Sequence, residues 1–416
     1  MEEPIVVGID IGTTKICTLV ARLEGEADMR ILGVGIEPAL GIKKGNVVDI
    51  NAATQSISRS IEKAQRTSGL EIQSALVSLA GSHVAAMNSR GVVGISGGVI
   101  TQSDVDRSLE SAMAVAMPHN REIIHVIQRG FTVDGQDGIL SPVNFSGYRL
   151  EVETHIITAA SATVENIRQC VNACNVDVLQ FVLNPLASGE VVLNKSERDI
   201  GVCICDIGGG TSDLAIYING DVWHTNVLPV GGNHITQDIA IGLRISAEQA
   251  EQVKKQYGHA ITSEVGDGEF FTLKTFGEEL PQQISRRELV NIIEARVEEI
   301  FQLLHQEIRR SGYDNLLPAG MILTGGTSLL PGIRQVAANT LNMPVRIARP
   351  ENLLGLSDQL QSPAYSTSVG LLKWSEIMAQ PAYAGTHPRG SKFPGNGGKT
   401  PVDWNKIKNV LDRLFP

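Results

Sequence analysis

Val202-Cys203-Ile204-Cys205-Asp206-Ile207-Gly208-Gly209-Gly210-Thr211-Ser212-Asp213 is an apolar run that meets an aspartate and opens into a glycine-rich turn. A short apolar run bounded by a turn signal reads as a buried strand. Near the start of the chain, Val6-Val7-Gly8-Ile9-Asp10-Ile11-Gly12 has the same form and continues as Thr13-Thr14-Lys15. The two aspartates stand 196 residues apart, so the chain reads as two similar α/β halves, each a helix-covered sheet. The turns themselves suit a polyphosphate. Glycines let backbone N–H groups converge on phosphate oxygens, threonine hydroxyls and Lys15 add donors, and Asp10 and Asp206 can hold the Mg²⁺ shell or orient a water. One such turn alone is more often a structural hairpin. A third loop, Ile322-Leu323-Thr324-Gly325-Gly326-Thr327, follows a strand and precedes a helix, where backbone can lie against a nucleoside.

Composition limits the alternatives. The 416 residues carry 35 Lys+Arg and 45 Asp+Glu, a net charge of −10, which argues against a nucleic-acid partner. A hydrophobic share of 42% supports substantial cores, and 42 glycines are an excess over average usage. Met1-Glu2-Glu3-Pro4 lacks the basic start of a secretory signal, and no apolar stretch is long enough to span a bilayer, so a cytoplasmic location is expected. Five cysteines (Cys17, Cys170, Cys174, Cys203, Cys205) suit a reducing compartment and are expected to pack as apolar side chains.

Several helices are marked by their ends. Ser246-Ala247-Glu248-Gln249 and Ser285-Arg286-Arg287-Glu288 read as capping boxes, with Gly258 and Gly312 placed to end the helices that follow. Leu289, Ile292, Ile293, Val297, Ile300, Phe301, Leu304 and Ile308 form a helical core stripe. A helix over 103–117 and strands over 123–133 and 149–159 predict a small α+β unit at 84–162 interrupting the first half. Residues 379–400 hold five Gly and three Pro and read as a flexible linker. Beyond it, Trp404, Ile407, Val410, Leu411, Leu414 and Phe415 fall on one arc of a helix about 140° wide, with the polar residues outside it. At roughly 22 Å this helix is too short to cross a bilayer but suits its interface, where Lys406, Lys408 and Arg413 favour anionic lipid.

The three motifs, in this order, resemble the actin, sugar-kinase and heat-shock-chaperone ATPase superfamily, with phosphate-1, phosphate-2 and adenosine motifs at 9–15, 205–214 and 322–333. Connecting helices are expected from Asn184-Pro185-Leu186 and Ala364-Tyr365-Ser366. Within it the chain is most similar to the FtsA family of bacterial cell-division actin homologues, through Asn88-Ser89-Arg90-Gly91-Val92-Val93, His125-Val126-Ile127 and Tyr148-Arg149-Leu150-Glu151-Val152-Glu153. Gln128, Asn144 and Phe145 depart from the common pattern inside the insert.

The resemblance implies an actin-like, ribonuclease H-like duplicated fold of two lobes with a nucleotide cleft, and ATP with Mg²⁺ as ligands. Subdomain 1A would take 1–83 and 163–196, subdomain 1C 84–162, 2A 197–236, 2B 237–318, and 319–378 would complete 2A and return to 1A. Asp10, Gly12, Thr13, Thr14, Lys15, Gly208, Gly209, Gly210, Thr211, Gly231 and Gly232 would face phosphates and Mg²⁺. Glu251 and Lys254 would face ribose and adenine, and Gly325 and Gly326 would close the adenine side. Asn184 stands where actin positions its water with a longer glutamine, which implies at most weak ATPase activity. The other reading makes Asn184 a helix cap ahead of Pro185.

The resemblance also implies a protein that forms filaments on the cytoplasmic face of the inner membrane at the division site. There its tail would anchor the FtsZ ring, and 1C would contact other copies and later division proteins. The FtsZ C-terminal peptide would bind 2B, with Arg296 as a basic contact, unless Arg296 is an ordinary solvated charge. A pilus-associated actin-like protein and a sugar or acetate kinase are the alternatives.

Overall fold

The structure is a computed structural model and describes residues 4–24, 28–114 and 118–378. The expected linker at 379–400 and tail helix at 401–416, including Trp404 to Phe415, lie outside the described residues.

Two sheets repeat one plan. In the first lobe the strand order is Asp177–Leu183, Ser74–Leu79, Ile5–Ile11, Lys15–Glu24, Asp28–Pro38, Leu353–Gly355. In the second it is Asp221–Leu228, Ser212–Ile218, Val202–Ile207, Met321–Thr324, Val345–Ile347. Each motif strand has an antiparallel hairpin partner on one side and a parallel neighbour on the other. Both hairpins close identically, with the Gly12 N–H donating to Lys15 O at 3.0 Å and the Gly208 N–H to Thr211 O at 2.9 Å. The two aspartates are therefore the next-to-last residues of equivalent strands. Cys17, Cys203 and Cys205 are fully buried on these strands, and burial pushes their thiols up in pKa, so they are inert apolar fill.

Helices cover the sheets. Ile50–Ser68 is capped by Asp49, whose carboxylate accepts from the Ala52 N–H, and lies on the first sheet. Arg286–Ser311 buries Leu289, Ile293, Val297, Ile300, Phe301, Leu304 and Ile308 in the second core. Each such side chain contributes roughly 1.5–3 kcal/mol in transfer free energy. The Ser246 capping box forms as expected, and Gly258 and Gly312 end their helices. The second box does not form. Ser285 caps Arg286–Ser311 without a side-chain bond, and Arg286 is drawn off to the Tyr257 carbonyl and the Glu269 carboxylate.

The insert is a four-stranded sheet ordered Val84–Gly94, Arg149–Ala160, Arg121–Val133, Gln136–Ile139, with the helix Gln102–Met113 packed on it. That helix stops four residues short of the expected Met117, and 115–117 lie outside the described residues.

The insert also touches the second lobe. The His155 ring bonds Asn88 at 2.7 Å on one nitrogen and Thr225 Oγ1 at 2.9 Å on the other. The Asn88 amide donates to the Tyr313 hydroxyl, and the Arg129 guanidinium lies 4.3 Å over the Trp223 ring. Burial, with lesser contributions from His224 and Arg129, depresses the His155 pKa from 6.5 to about 3. Below pH 6.5 the unfolded chain therefore binds a proton that the folded one refuses. The contribution of His155 to stability is complete above pH 6.5 and is lost progressively as pH falls toward 3. Acidifying from about pH 7.5 to about 5.5 is expected to destabilise wild type by about 1.4 kcal/mol more than His155→Gln. Denaturant titrations at the two pH values measure that difference, and parallel curves would reject it.

Candidate functional site

The two phosphate turns face each other across a cleft of about 510 Å³. They nearly touch. A Cβ on Gly210 would come within 3.0 Å of the Thr13 side chain, and one on Gly209 would strike Thr14. The second turn is braced from behind, where Gly208 O accepts from the Gly232 N–H at 3.0 Å and from Thr327 Oγ1 at 2.9 Å. The Asn233 N–H donates to Gly209 O at 2.7 Å. These bonds fix the start of the helix Gly232–Leu243, so its N-terminus points at the cleft.

The structure brings most of the expected residues together. Asp10, Gly12, Thr13, Thr14, Lys15, Asn184, Asp206, Gly208, Gly209, Gly210, Thr211, Gly232, Glu251, Lys254, Gly325 and Gly326 all line this one cleft. Gly231 does not. It lies behind the second turn, where a Cβ would meet the carbonyls of Gly208, Gly209 and Thr211, and its N–H donates to His234 Nδ1. Lys254 Nζ pairs with Glu251 at 2.6 Å and donates to Gly232 O and Thr236 Oγ1. Leu329, Leu330 and Pro331 form an apolar wall beside Gly326, suited to a flat base. Lys15 Nζ donates to Ala364 O and sits 4.0 Å over the Tyr365 ring.

Asn184 is not a cap. Leu183 holds the extended cap position, Asn184 is the first residue of Asn184–Val192, and its Nδ2 reaches the Asp213 carboxylate at 3.4 Å. Asn184 Oδ1 and Asp213 Oδ1 are buried and have no protein partner, which a ligand or water at the cleft floor would supply.

The carboxylates are shaped by burial. Asp206 is pushed from 3.8 to about 6 by desolvation, against the bond it accepts from Thr367 Oγ1 at 2.7 Å. Asp213 is raised well above its ordinary value by desolvation and by Asp206. Three buried acids at one floor repel one another, and a cation in the cleft would relieve that repulsion. Asp10 and Asp206 offer hard oxygen donors, and no cluster of three or more metal-ligating side chains occurs among the described residues. That donor set fits Mg²⁺, which is held by one or two carboxylates and takes its other ligands from waters and phosphates.

Sequence reasoning gave no role to Thr367, Ser368, Ser78 or Asp213. The first two carried a signal, because Ser366-Thr367-Ser368 places three consecutive hydroxyls at a helix start.

Residues 203–370 match the family described as "Cell division protein FtsA", and 81–158 match the "SHS2 domain inserted in FTSA". A cell division protein FtsA from Pseudomonas aeruginosa is 39% identical over 397 residues, covering 95% of each chain. One from Bacillus subtilis is 39% identical over 89% of this chain and 83% of its own. The chain belongs to the FtsA family of cell division proteins. Its fold is actin-like, with the family's SHS2 domain as the insert. A PilM-PilN type IV pilus biogenesis complex aligns with TM-score 0.63 at 17% identity, over 92% of this chain and 99% of that one. MreB5 of Spiroplasma citri bound to AMPPNP aligns with TM-score 0.54 at 16% identity, over 92% and 100%. At these identities the two solved structures speak for the fold alone.

Proposed function

We propose that this family member binds Mg·ATP in the cleft, forms filaments on the cytoplasmic face of the inner membrane and anchors the FtsZ ring through its C-terminal segment. The observation that carries the nucleotide reading is the pair of facing glycine turns, each at the end of a strand that bears an aspartate at the cleft floor. Asp10 and Asp206 take the metal, the turns and Lys15 take the phosphates, and Glu251, Lys254 and Gly326 border the nucleoside. A bound Mg²⁺ would supply charge neutralisation for the phosphates. Asn184, tied to Asp213, is short for orienting an attacking water, so hydrolysis is slow.

For the ring, the FtsZ peptide docks on subdomain 2B beside Arg296. The Arg296 guanidinium is engaged by Asp238, with Nη2 3.0 Å from Oδ1, and by Glu299, so it is held in place as one rim of the site. Ile241, one turn beyond Asp238 on Gly232–Leu243, is 77% exposed and offers the apolar contact. The insert serves contacts with other copies and with later division proteins.

Membrane attachment rests on the amphipathic pattern from Trp404 to Phe415. Residues 379–416 carry six Lys or Arg and two Asp or Glu, against an acidic remainder. Co-sedimentation with anionic liposomes, with and without Mg·ATP, tests this for the whole chain and for a chain stopped at Ala379. The whole chain is expected to pellet, more strongly where filaments present many tails together, and the shortened chain to stay in solution. Equal pelleting of both would remove the anchor from the proposal.

A further inference from the structure

The helix Ser366–Met378 begins with Ser366, Thr367 and Ser368, all fully or nearly fully buried. Ser368 Oγ donates to Asp10 Oδ2 at 2.7 Å, across 358 residues of sequence. Thr367 Oγ1 donates to Asp206 Oδ2 at 2.7 Å, across 161. Ser366 Oγ lies 2.6 Å from Thr324 Oγ1, on the strand beside the one that carries Asp206. Adjacent residues on one helical turn thus hold the aspartate of the first lobe and that of the second. Ser78 Oγ completes the seat of Asp10 with a bond to Oδ1 at 3.0 Å.

A hydroxyl that donates to a carboxylate favours its ionised form and fixes its rotation, leaving the remaining lone pairs directed elsewhere. A rigid helix turn joining the two fixes their separation as well. We infer that Thr367 and Ser368 are positioning residues for the metal-nucleotide, a jig that sets Asp10 and Asp206 across the two lobes so that both can serve one Mg²⁺. Outer groups that orient metal-ligating carboxylates commonly change metal affinity 10- to 100-fold when removed. The inference rests on the Mg·ATP reading above.

The test is the gain in ATP affinity that Mg²⁺ confers, measured by calorimetry on the whole chain in excess Mg²⁺ and in excess EDTA. Thr367→Val keeps the shape and removes the donor. It is expected to cut the Mg²⁺-dependent gain about tenfold and to leave binding in EDTA unchanged, while Thr367→Ser restores the gain. A purely structural role would lower both affinities together and would not be rescued selectively. Thr367→Val with the full wild-type gain overturns the inference. If Thr367→Val fails to fold, Ser368→Ala decides, because it must reduce the same gain or the inference falls. A wild-type chain that binds no ATP overturns the nucleotide reading and this inference with it. A wild-type chain whose Mg²⁺ gain survives both substitutions overturns this inference alone.

Discussion

Gly370→Ala, the addition of one methyl group, is expected to destabilise the protein by about 3 kcal/mol or more. Gly370 lies in Ser366–Met378 where that helix crosses Asn184–Val192, and a Cβ there would fall inside 3.0 Å of both the Ala187 carbonyl and its carbon. These obstacles are helix backbone, which cannot turn aside as a side-chain end can. Relief requires the two helices to separate, and both start at the cleft, one carrying Asn184 and the other Thr367 and Ser368. Separation exposes the fully buried Leu371, Leu186 and Ala187 and pulls the hydroxyls off the aspartates. The thermal unfolding midpoint is expected to fall by about 4 °C for a chain of this length. Gly130→Ala is the control, since Gly130 has open space around it and is expected to change little. Equal stability of Gly370→Ala and wild type would show that the crossing is looser than its geometry.

The crossing marks how far the sequence could be read. Local chemistry was legible. Two apolar runs ending in Asp-Ile-Gly became equivalent strands, the hairpins closed at Gly12 and Gly208, and Arg149–Ala160 formed where a strand was expected over 149–159. What escaped depends on partners distant in sequence. Nothing near Arg296 announces Asp238, 58 residues away, yet that pair turns a solvated charge into a clamped one. The Ser285 box does not form, and beside it Arg286 finds partners 29 and 17 residues upstream that its neighbours in sequence do not announce. Asn184 carried two readings, a water-positioning residue and a helix cap, and the extended backbone of Leu183 and the contact with the Asp213 carboxylate place it in the cleft, not at the cap. Two of the hydroxyls on Asp10 and Asp206, those of Ser368 and Thr367, come from 358 and 161 residues along the chain, where only the run of three hydroxyls hinted at a polar task.

In the loop that follows Met321–Thr324, two adjacent glycines are expected to respond oppositely to the same substitution. Gly325 has φ 85° and ψ 162°, a backbone region open essentially to glycine alone and costing a residue with a side chain roughly 1–3 kcal/mol. A Cβ there would also lie within 3.0 Å of Asp206 Oδ1 and of the Ile207 carbonyl. Backbone holds one side, so the carboxylate must yield. Asp206 would then leave the Thr367 hydroxyl and turn from the place proposed for Mg²⁺. Gly325→Ala is therefore expected to weaken Mg·ATP binding roughly 10- to 100-fold through the displaced carboxylate, while the backbone strain lowers stability in the free and the bound chain alike. Gly326 takes an ordinary φ, and its added Cβ would sit 3.7 Å from the Ala364 Cβ, a normal contact at the cleft wall. Gly326→Ala should keep affinity within about threefold, a difference under about 0.7 kcal/mol. Calorimetry on both variants separates the two effects. If Gly326→Ala proves as damaging as Gly325→Ala, the loop serves by its bare backbone surface alone, and the contact between Gly325 and Asp206 has no part in binding. If only Gly325→Ala fails, and fails most in Mg²⁺, the glycine is there to leave room for the aspartate.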